Sequence, residues 1–447
     1  MDRADAYRDV GEGAWSWVRA SVGRDDTGPW LASTVGGAPQ LPPAPEDRTT
    51  IYFGTGGLAL LLAELRLARR LDDGEAALAA AIREGIVAAS SPTRYASLYF
   101  GLAGDATTLT VLGDPEGASA ILRRLASLIP PGWTPTVEED PIVPPFDVVA
   151  GLAGVAMSGV WCGGADGLAL ARLAGDGLLA AAEVVGDGLD WPMFPGVERR
   201  LPNFSHGTAG IAAALAVAGV ALGDATLVEA ARRGAAHLVS IGELTADAFT
   251  VPHYVPDAAA APDEERVTYS WCHGPTGTSL CFAALERAGV TEVGGTATRV
   301  LRSRCLGAVL GSGVPDRQRP GFWDNDGQCC GTAGVGSVLL DAAQDAAGSD
   351  PAAAASLLAG ATRMGDALVD RAIRDASGCR WRFLEHRADP SLLAPATGWS
   401  QGAAGIAAFL VRLARVVDGG LGVPVVDRPD TWWAVPGPCR TLHRSRA

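Results

Sequence analysis

The sequence contains no lysine, so all 36 basic residues among its 447 are arginines. This absence excludes the chemistries that need a lysine side chain, including the P-loop phosphate site, the protein-kinase lysine and the Schiff base of pyridoxal phosphate. Basic residues are also outnumbered, because 50 acidic residues give a formal net charge of −14. We therefore expect no nucleic-acid partner and no attraction to an anionic membrane.

Long apolar runs and targeting segments are also missing. The longest apolar run covers residues 211–222, which is too short to span a bilayer, and the N-terminal stretch MDRADAYRDVGEGAWSWV lacks the apolar centre of a signal peptide. Eight cysteines are too few for a disulfide scaffold in a chain of this length. These features predict no membrane insertion and a cytoplasmic location with reduced thiols.

A short glycine motif recurs seven times. In each copy two glycines are separated by two residues, and a stretch rich in small apolar residues follows. The first glycines lie 47 to 71 residues apart, at Gly54, Gly101, Gly151, Gly207, Gly274, Gly331 and Gly402. A repeat of this length indicates one supersecondary unit per copy.

The repeats predict an all-α fold. The stretch after each glycine pair is apolar on nearly all faces, as in a buried helix, whereas the segments between them, such as 72–89 and 164–185, are amphipathic. One inner and one outer helix per repeat indicate a seven-fold α/α toroid, a closed double ring, which we expect to form one domain over residues 1–447. An open solenoid of helical hairpins is the alternative.

Three cysteines stand at related places in neighbouring repeats. Cys272 and Cys329 each lie two residues before the first glycine of a pair, and Cys330 follows directly. If the repeats superpose, the three thiols converge at one rim of the ring, which is the ligand set of a tetrahedral zinc with one open position. The alternative is that they are small buried apolar residues. We interpret the other cysteines in that second way: Cys162, Cys281, Cys305, Cys379 and Cys439.

Histidines and an aspartate are the acid–base candidates. His206 directly precedes Gly207 and is a natural general acid or base, although a histidine at a helix start can also bond the backbone. Asp147, four residues before Gly151, can equally be a helix N-cap. His273, beside Cys272, is a candidate fourth ligand, proton donor or supporting group. We expect His253 and Tyr254 to line the mouth of the ring, and His237 and His443 to lie at the surface.

At these residues the chain resembles the lanthionine synthetase C-like proteins, the lanthipeptide cyclase family, over nearly its full length. The segments SHGTAG, SWCHGPTG and QCCGTAG carry the resemblance. It implies a seven-fold toroid with a zinc ion at the rim of a central cavity. It also implies an enzyme that adds cysteine thiols of a precursor peptide to dehydroalanine or dehydrobutyrine. Cys272, Cys329 and Cys330 would then hold Zn²⁺, with His206 and Asp147 as the acid–base residues.

The chain departs from the family pattern in two places. Residues 329–331 read Cys-Cys-Gly where Cys-His-Gly is common, although an all-thiolate set occurs in the family. A family arginine four residues before the first zinc cysteine is replaced by Thr268, and the nearest arginine is Arg266. Since no kinase or lyase segment is present, the resemblance implies a dehydrated precursor peptide as substrate and a separate dehydratase or kinase/lyase protein as partner.

Other functions remain open from the sequence. A zinc-containing toroid that binds a peptide or partner protein without catalysis would have a fourth protein ligand, with His273 as the candidate. A further alternative adds another thiol, such as glutathione, to dehydroamino acids. A glycoside-processing toroid would use two carboxylates, such as Asp147 and Asp324.

Overall fold

The fold is described from a computed structural model, which covers residues 2–35, 41–89, 95–129, 146–193, 198–256, 266–316, 325–384 and 392–431. Within these ranges the chain forms fourteen α-helices. They are α1 Arg3–Ala20, α2 Thr55–Ala68, α3 Asp73–Ala89, α4 Leu102–Val111, α5 Pro115–Leu128, α6 Leu152–Cys162, α7 Gly164–Ala180, α8 Thr208–Leu222, α9 Ala225–Ile241, α10 Pro275–Arg287, α11 Thr298–Gly311, α12 Thr332–Ala346, α13 Pro351–Arg371 and α14 Ala403–Gly419.

The helices form two concentric rings. The seven even-numbered helices begin at the glycine pairs; each packs against the next, and α14 packs against α2. The odd-numbered helices lie outside them: α3 to α13 each pack on the inner helix before them in sequence, and α1 packs on α14. The prediction of a closed seven-fold α/α toroid is confirmed, and the open solenoid is excluded.

Burial of the helices follows their apolar patterns. The inner helix α8 is buried on every face from Thr208 to Gly219, as its unbroken small apolar sequence predicts. The outer helix α5 buries only one stripe, formed by Ala118, Ile121, Leu122 and Leu125. This spacing of three and four residues is that of an amphipathic helix with its polar face toward solvent. None of the described helices is long and apolar enough to cross a membrane.

The glycine pairs make a tight turn at the start of each inner helix. The first glycine is the N-cap, and backbone carbonyls rather than a side chain accept the first free N–H groups; Ala209 N, for example, donates to Pro202 O at 3.0 Å. A Cβ on the second glycine would lie 1.9 to 2.6 Å from the carbonyl oxygen six residues earlier in all seven turns. Only glycine fits there, which explains the motif.

A closed ring of backbone hydrogen bonds joins the seven turns. In each turn, the residue two positions before the first glycine donates its N–H to the equivalent carbonyl of the next turn, at 2.8 to 3.3 Å. The ring runs through Tyr52, Tyr99, Val149, Ser205, Cys272, Cys329 and Ser400, and Ser400 N returns to Tyr52 O. Equivalent residues therefore lie at one level around the axis, and neighbours in the ring are in direct contact.

The strands are short and form only antiparallel hairpins in the described part of the chain. The pairs are β1 Val22–Asp25 with β2 Gly28–Leu31, β3 Glu183–Val185 with β4 Gly188–Asp190, β5 Glu243–Leu244 with β6 Phe249–Thr250, β7 Glu292–Val293 with β8 Thr296–Ala297, β9 Ile373–Asp375 with β10 Gly378–Arg380, and β11 Phe383–Leu384 with β12 Leu392–Leu393. They lie in connections between helices and add no layer to the fold.

The segment after α14 returns into the ring. A short 3₁₀ helix, Pro429–Thr431, contacts the inner helix α6. Arg428 and Asp430 are buried there as an ion pair at 3.1 Å, and the Tyr99 hydroxyl donates to Asp430 at 2.9 Å. These residues, with Trp271 and Cys329, line a small cavity beneath the ring of hydrogen bonds.

Candidate metal centre

Three cysteine sulfurs meet where the fifth and sixth turns touch. Cys272 N donates to Cys329 O at 3.2 Å within the backbone ring, which brings the two side chains together. Cys272 Sγ lies 3.3 Å from Cys330 Sγ, and Cys330 Sγ lies 3.5 Å from Cys329 Sγ. All three side chains are buried, and their sulfurs lie within 4.8 Å of one another.

The donor set fits a metal ion such as zinc. Four sulfur ligands about 2.3 Å from a tetrahedral zinc would be about 3.8 Å apart, so these sulfurs need to spread by only a few tenths of an ångström. Across the described ranges, this is the one cluster of three or more metal-ligating side chains. His273 is not a member of it, so the fourth ligand that a closed structural site requires is not supplied by that residue.

Hydrogen bonds among the three sulfurs shift their pKa values in opposite directions. Hydrogen bonds with Cys272 and Cys329 lower the pKa of Cys330 well below its usual value, whereas burial raises the pKa of Cys272. The hydrogen bond with Cys272 is the largest cause that raises the pKa of Cys329. Negative charge is therefore most favourable on Cys330, the sulfur that its two neighbours hydrogen-bond.

His206 and Asp147 form a hydrogen-bonded pair on adjacent turns. His206 Nδ1 lies 2.8 Å from Asp147 Oδ2. The Asp147 side chain is buried, whereas that of His206 is 30% exposed at the mouth. Burial by itself would lower the pKa of His206, but the hydrogen bond and charge of Asp147, together with the charge of Cys330, outweigh it and raise the pKa. The imidazolium is thus stabilised, and Nε2 is left for a reactant.

Asp147 also supports its own turn, since its Oδ1 accepts the Ala150 N–H at 2.6 Å. It is not the helix N-cap, a role that Gly151 takes for α6. The alternative in which His206 bonds only the backbone does not hold either, because its partner is the Asp147 carboxylate. Of the two carboxylates considered for glycoside hydrolysis, Asp147 is hydrogen-bonded to His206, and Asp324 lies outside the described residues.

Two further histidine rings lie in a row beside the His206 ring. The His273 ring is 5.8 Å from the His206 ring and 4.4 Å from the His253 ring, between centroids, and His253 stacks on Tyr254 at 4.0 Å. His253 is buried and Tyr254 is half-buried, so the expectation that they line the mouth stays a prediction. The Arg199 guanidinium lies over the Tyr254 ring, 3.4 Å from its centroid.

The position of the family arginine is occupied by a structural threonine. Thr268 is buried, and its hydroxyl donates to the His273 carbonyl. Arg266 is exposed, and its backbone carbonyl accepts the His253 N–H at 2.7 Å. The two positions therefore support the turn that carries Cys272.

The prediction of a surface position is wrong for one histidine. His237 was expected at the surface but is buried, with Nε2 3.7 Å from Asp190 Oδ2, because the β3–β4 hairpin packs on α9. His443 and Cys439 lie outside the described residues. Of the other cysteines, Cys281, Cys305 and Cys379 are buried and Cys162 is half-buried, as expected.

Two residues at the centre, Gln401 and Tyr52, were not predicted from the sequence. Gln401 Nε2 lies 3.4 Å from Cys330 Sγ and 3.0 Å from the Tyr52 hydroxyl. Gln401 directly precedes Gly402, as Cys330 precedes Gly331, and Tyr52 occupies the same place in its turn as Cys329. Position within the repeat was therefore the signal that could have found both.

Aromatic rings cluster in the first and second turns, next to Gln401 on the side away from Cys330. The Tyr52 and Phe100 rings are 5.0 Å apart, and Phe53 lies 5.8 Å from Phe100, between centroids. Phe53 and Phe100 are half-buried and occupy the position of His206 in their own turns. The residue directly before the first glycine is therefore aromatic in the first two turns and a histidine or cysteine in the fourth, fifth and sixth turns.

Comparisons with known proteins agree with this architecture. A family model described as lanthionine synthetase C-like protein matches residues 45–415. Among solved structures, nisin cyclase is similar with a TM-score of 0.57 and 18% sequence identity, over 83% of this chain and 89% of that one. At this identity the likeness shows the fold alone. No curated protein sequence matches the chain.

Proposed function

The chain belongs to the lanthionine synthetase C-like family, and from this premise we propose that it is a zinc-dependent lanthipeptide cyclase. Its substrate would be a dehydrated precursor peptide, in which a cysteine thiol adds to dehydroalanine or dehydrobutyrine. The product would be a lanthionine or methyllanthionine thioether ring. The observation that carries this proposal is the meeting of three cysteine sulfurs beside a mouth that also presents the His206–Asp147 pair.

Cys272, Cys329 and Cys330 would hold the metal. A zinc ion bound there supplies the positive charge that keeps a substrate thiol deprotonated near neutral pH, where a free thiol with a pKa of about 8.5 is mostly protonated. With three protein ligands, such an ion would have one coordination position open to a substrate sulfur. Their burial keeps bulk water away from the reacting sulfur.

His206 would handle the proton. In the addition, sulfur forms a bond to the β-carbon, the carbon–carbon π bond breaks, and the α-carbon takes up a proton. His206 would donate that proton from Nε2, because Nδ1 is held by Asp147 at 2.8 Å, and would recover it from the proton that the substrate thiol releases, so that no proton is consumed overall. Asp147 keeps the ring oriented and stabilises its protonated form.

A thiol assay tests this function directly. The protein is incubated with a dehydrated peptide that contains one cysteine and one dehydroalanine, and free thiol is trapped by alkylation and counted by mass spectrometry. We expect loss of free thiol at unchanged peptide mass, since cyclisation is an isomerisation. A Cys162→Ser variant, altered far from the centre, should act like wild type. Persistent thiol with zinc-loaded protein would contradict the proposal.

The same assay separates the alternatives. A peptide without cysteine, offered with glutathione, gains the mass of glutathione only if the protein adds external thiols. Binding of the peptide without thiol loss would indicate a scaffold. We favour cyclisation over a scaffold because the described sulfur cluster has three members and His273 does not complete it.

Partner and location follow from the same proposal. We propose that a separate dehydratase or kinase/lyase protein supplies the dehydroamino acids that cyclisation consumes. We propose a cytoplasmic location with reduced thiols, since eight cysteines are too few for a disulfide scaffold in a chain of 447 residues.

A further inference from the structure

We propose that Tyr52, Ser270 and Gln401 are positioning residues for the metal centre, each giving one neutral hydrogen bond to one of the three sulfurs. The inference rests on the metal site of the proposed function but does not depend on the reaction that the site catalyses. It adds three residues, from the first, fifth and last repeats, to a centre whose ligands lie in the fifth and sixth.

Each sulfur has a separate neutral neighbour. Gln401 Nε2 is 3.4 Å from Cys330 Sγ, and the Tyr52 hydroxyl lies near Cys329, since burial and then Cys329 raise the pKa of Tyr52. Gln401 has two amide protons, and the second goes to the Tyr52 oxygen at 3.0 Å. Since the Tyr52 oxygen accepts from Gln401, the tyrosine proton is directed to sulfur. Gln401 and Tyr52 therefore act as one unit that spans the adjacent cysteines.

The third sulfur is held within its own turn. Ser270 is fully buried, and its Oγ lies 3.2 Å from Cys272 Sγ. Ser270 Oγ also lies 3.1 Å from the His273 carbonyl, which accepts the Thr268 hydroxyl as well. A thiolate is charged whereas the carbonyl is neutral, so a deprotonated Cys272 would attract the Ser270 proton.

Charge explains why neutral donors suit this centre. Three thiolates around a divalent ion carry a net charge of −1 in a buried site, where uncompensated charge is unfavourable. A lysine or arginine would neutralise the sulfurs and weaken the electron-rich character that a nucleophilic site needs. Hydroxyl and amide donors stabilise and orient the thiolates without adding charge.

The ring closure is part of this arrangement. Ser400 N donates to Tyr52 O at 3.0 Å, so the last and first turns are joined beside the pair formed by Tyr52 and Gln401. Cys329 N donates in turn to Ser400 O at 2.8 Å. The centre therefore has its full set of donors only when the first and last turns of the ring are joined.

The experiment compares metal binding in full-length variants that keep all three cysteines. Tyr52→Phe removes the hydroxyl alone, and Gln401→Met removes the amide at similar length. The matched control is Tyr99→Phe, which lies at the equivalent place in the next turn but whose hydroxyl bonds Asp430 rather than sulfur. Zinc affinity is measured by chelator competition, and the sulfur-to-metal charge-transfer band is recorded after substitution with Co²⁺. Circular dichroism confirms that each variant is folded.

We expect Tyr52→Phe and Gln401→Met each to lower zinc affinity by about 10-fold to 100-fold and to shift the cobalt band, with both unchanged in Tyr99→Phe. Wild-type affinity and an unshifted band in both variants would overturn the inference, even if wild-type protein cyclises peptide. If wild-type protein binds neither Zn²⁺ nor Co²⁺, the proposed metal site fails with it. The two failures are therefore distinguishable.

Discussion

A single methyl group on the sixth turn should disable the centre without contacting any ligand. In Gly334→Ala, the new Cβ would lie 1.9 Å from the carbonyl oxygen of Gln328, the residue directly before Cys329. Real Cβ atoms essentially never approach within 3.0 Å of a neighbour, so the backbone must move by about 1 Å or more. That movement displaces two of the three sulfurs.

The magnitude follows from the contacts at risk. Overpacking a tight site costs about 1–3 kcal/mol. The displacement also endangers the hydrogen bonds from Gly334 N to Gly327 O at 3.2 Å and from Ala333 N to Asp326 O at 3.1 Å, each worth about 1 kcal/mol. We expect the free energy of unfolding to fall by about 2–5 kcal/mol and zinc affinity to fall at least about tenfold.

Urea denaturation and chelator competition measure the two effects. The control is Gly348→Ala in the turn after α12, where an added Cβ meets no atom within 4 Å, so the stability change should stay within about 0.5 kcal/mol. If Gly334→Ala keeps wild-type stability and zinc affinity, the claim that the glycine turn sets the sulfur geometry is refuted.

Three further predictions concern single side chains. Cys330→Ala should lose bound zinc and thiol consumption together, and full zinc content by elemental analysis would contradict its ligand role. Asp147→Asn removes the charge that raises the pKa of His206, so kcat/KM should begin to fall with rising pH at a lower pH than in wild type. If this fall begins at the same pH in both proteins, His206 is not the acid. Burial raises the pKa of Asp105 to about 7, above its unfolded value of about 3.9, so stability is lost as pH rises between these values. Asp105→Asn should therefore raise the free energy of unfolding at pH 8 by about 2–4 kcal/mol and leave it unchanged near pH 4, and an equal gain at both pH values in urea titrations would contradict this.

The ring could be predicted from the sequence because its cause is local and repeated. Seven glycine pairs precede seven small apolar helices, and the second glycine is fixed by a clash with its own turn. Equivalence of the repeats then predicts that Cys272 lies beside Cys329. The partner of α14 was not predictable in this way, since α1 carries no glycine pair and meets α14 only in the folded ring.

Contacts that depend on side-chain direction were out of reach of the sequence. Tyr52 and Gln401 are 349 residues apart, and their hydrogen bond exists only because the ring closes. The return of Arg428 and Asp430 beneath the centre depends on the path of the chain after α14, for which the sequence has no repeat. His237 looked like a residue on a polar helix face, but packing of the β3–β4 hairpin covers it.

X-ray absorption at the zinc edge tests the central claim most directly. We expect one zinc per chain with three sulfur neighbours at about 2.3 Å and one lighter neighbour. Addition of a small thiol should replace the lighter neighbour with a fourth sulfur. Protein that carries no zinc, or zinc with fewer than three sulfurs and no response to the thiol, would contradict it.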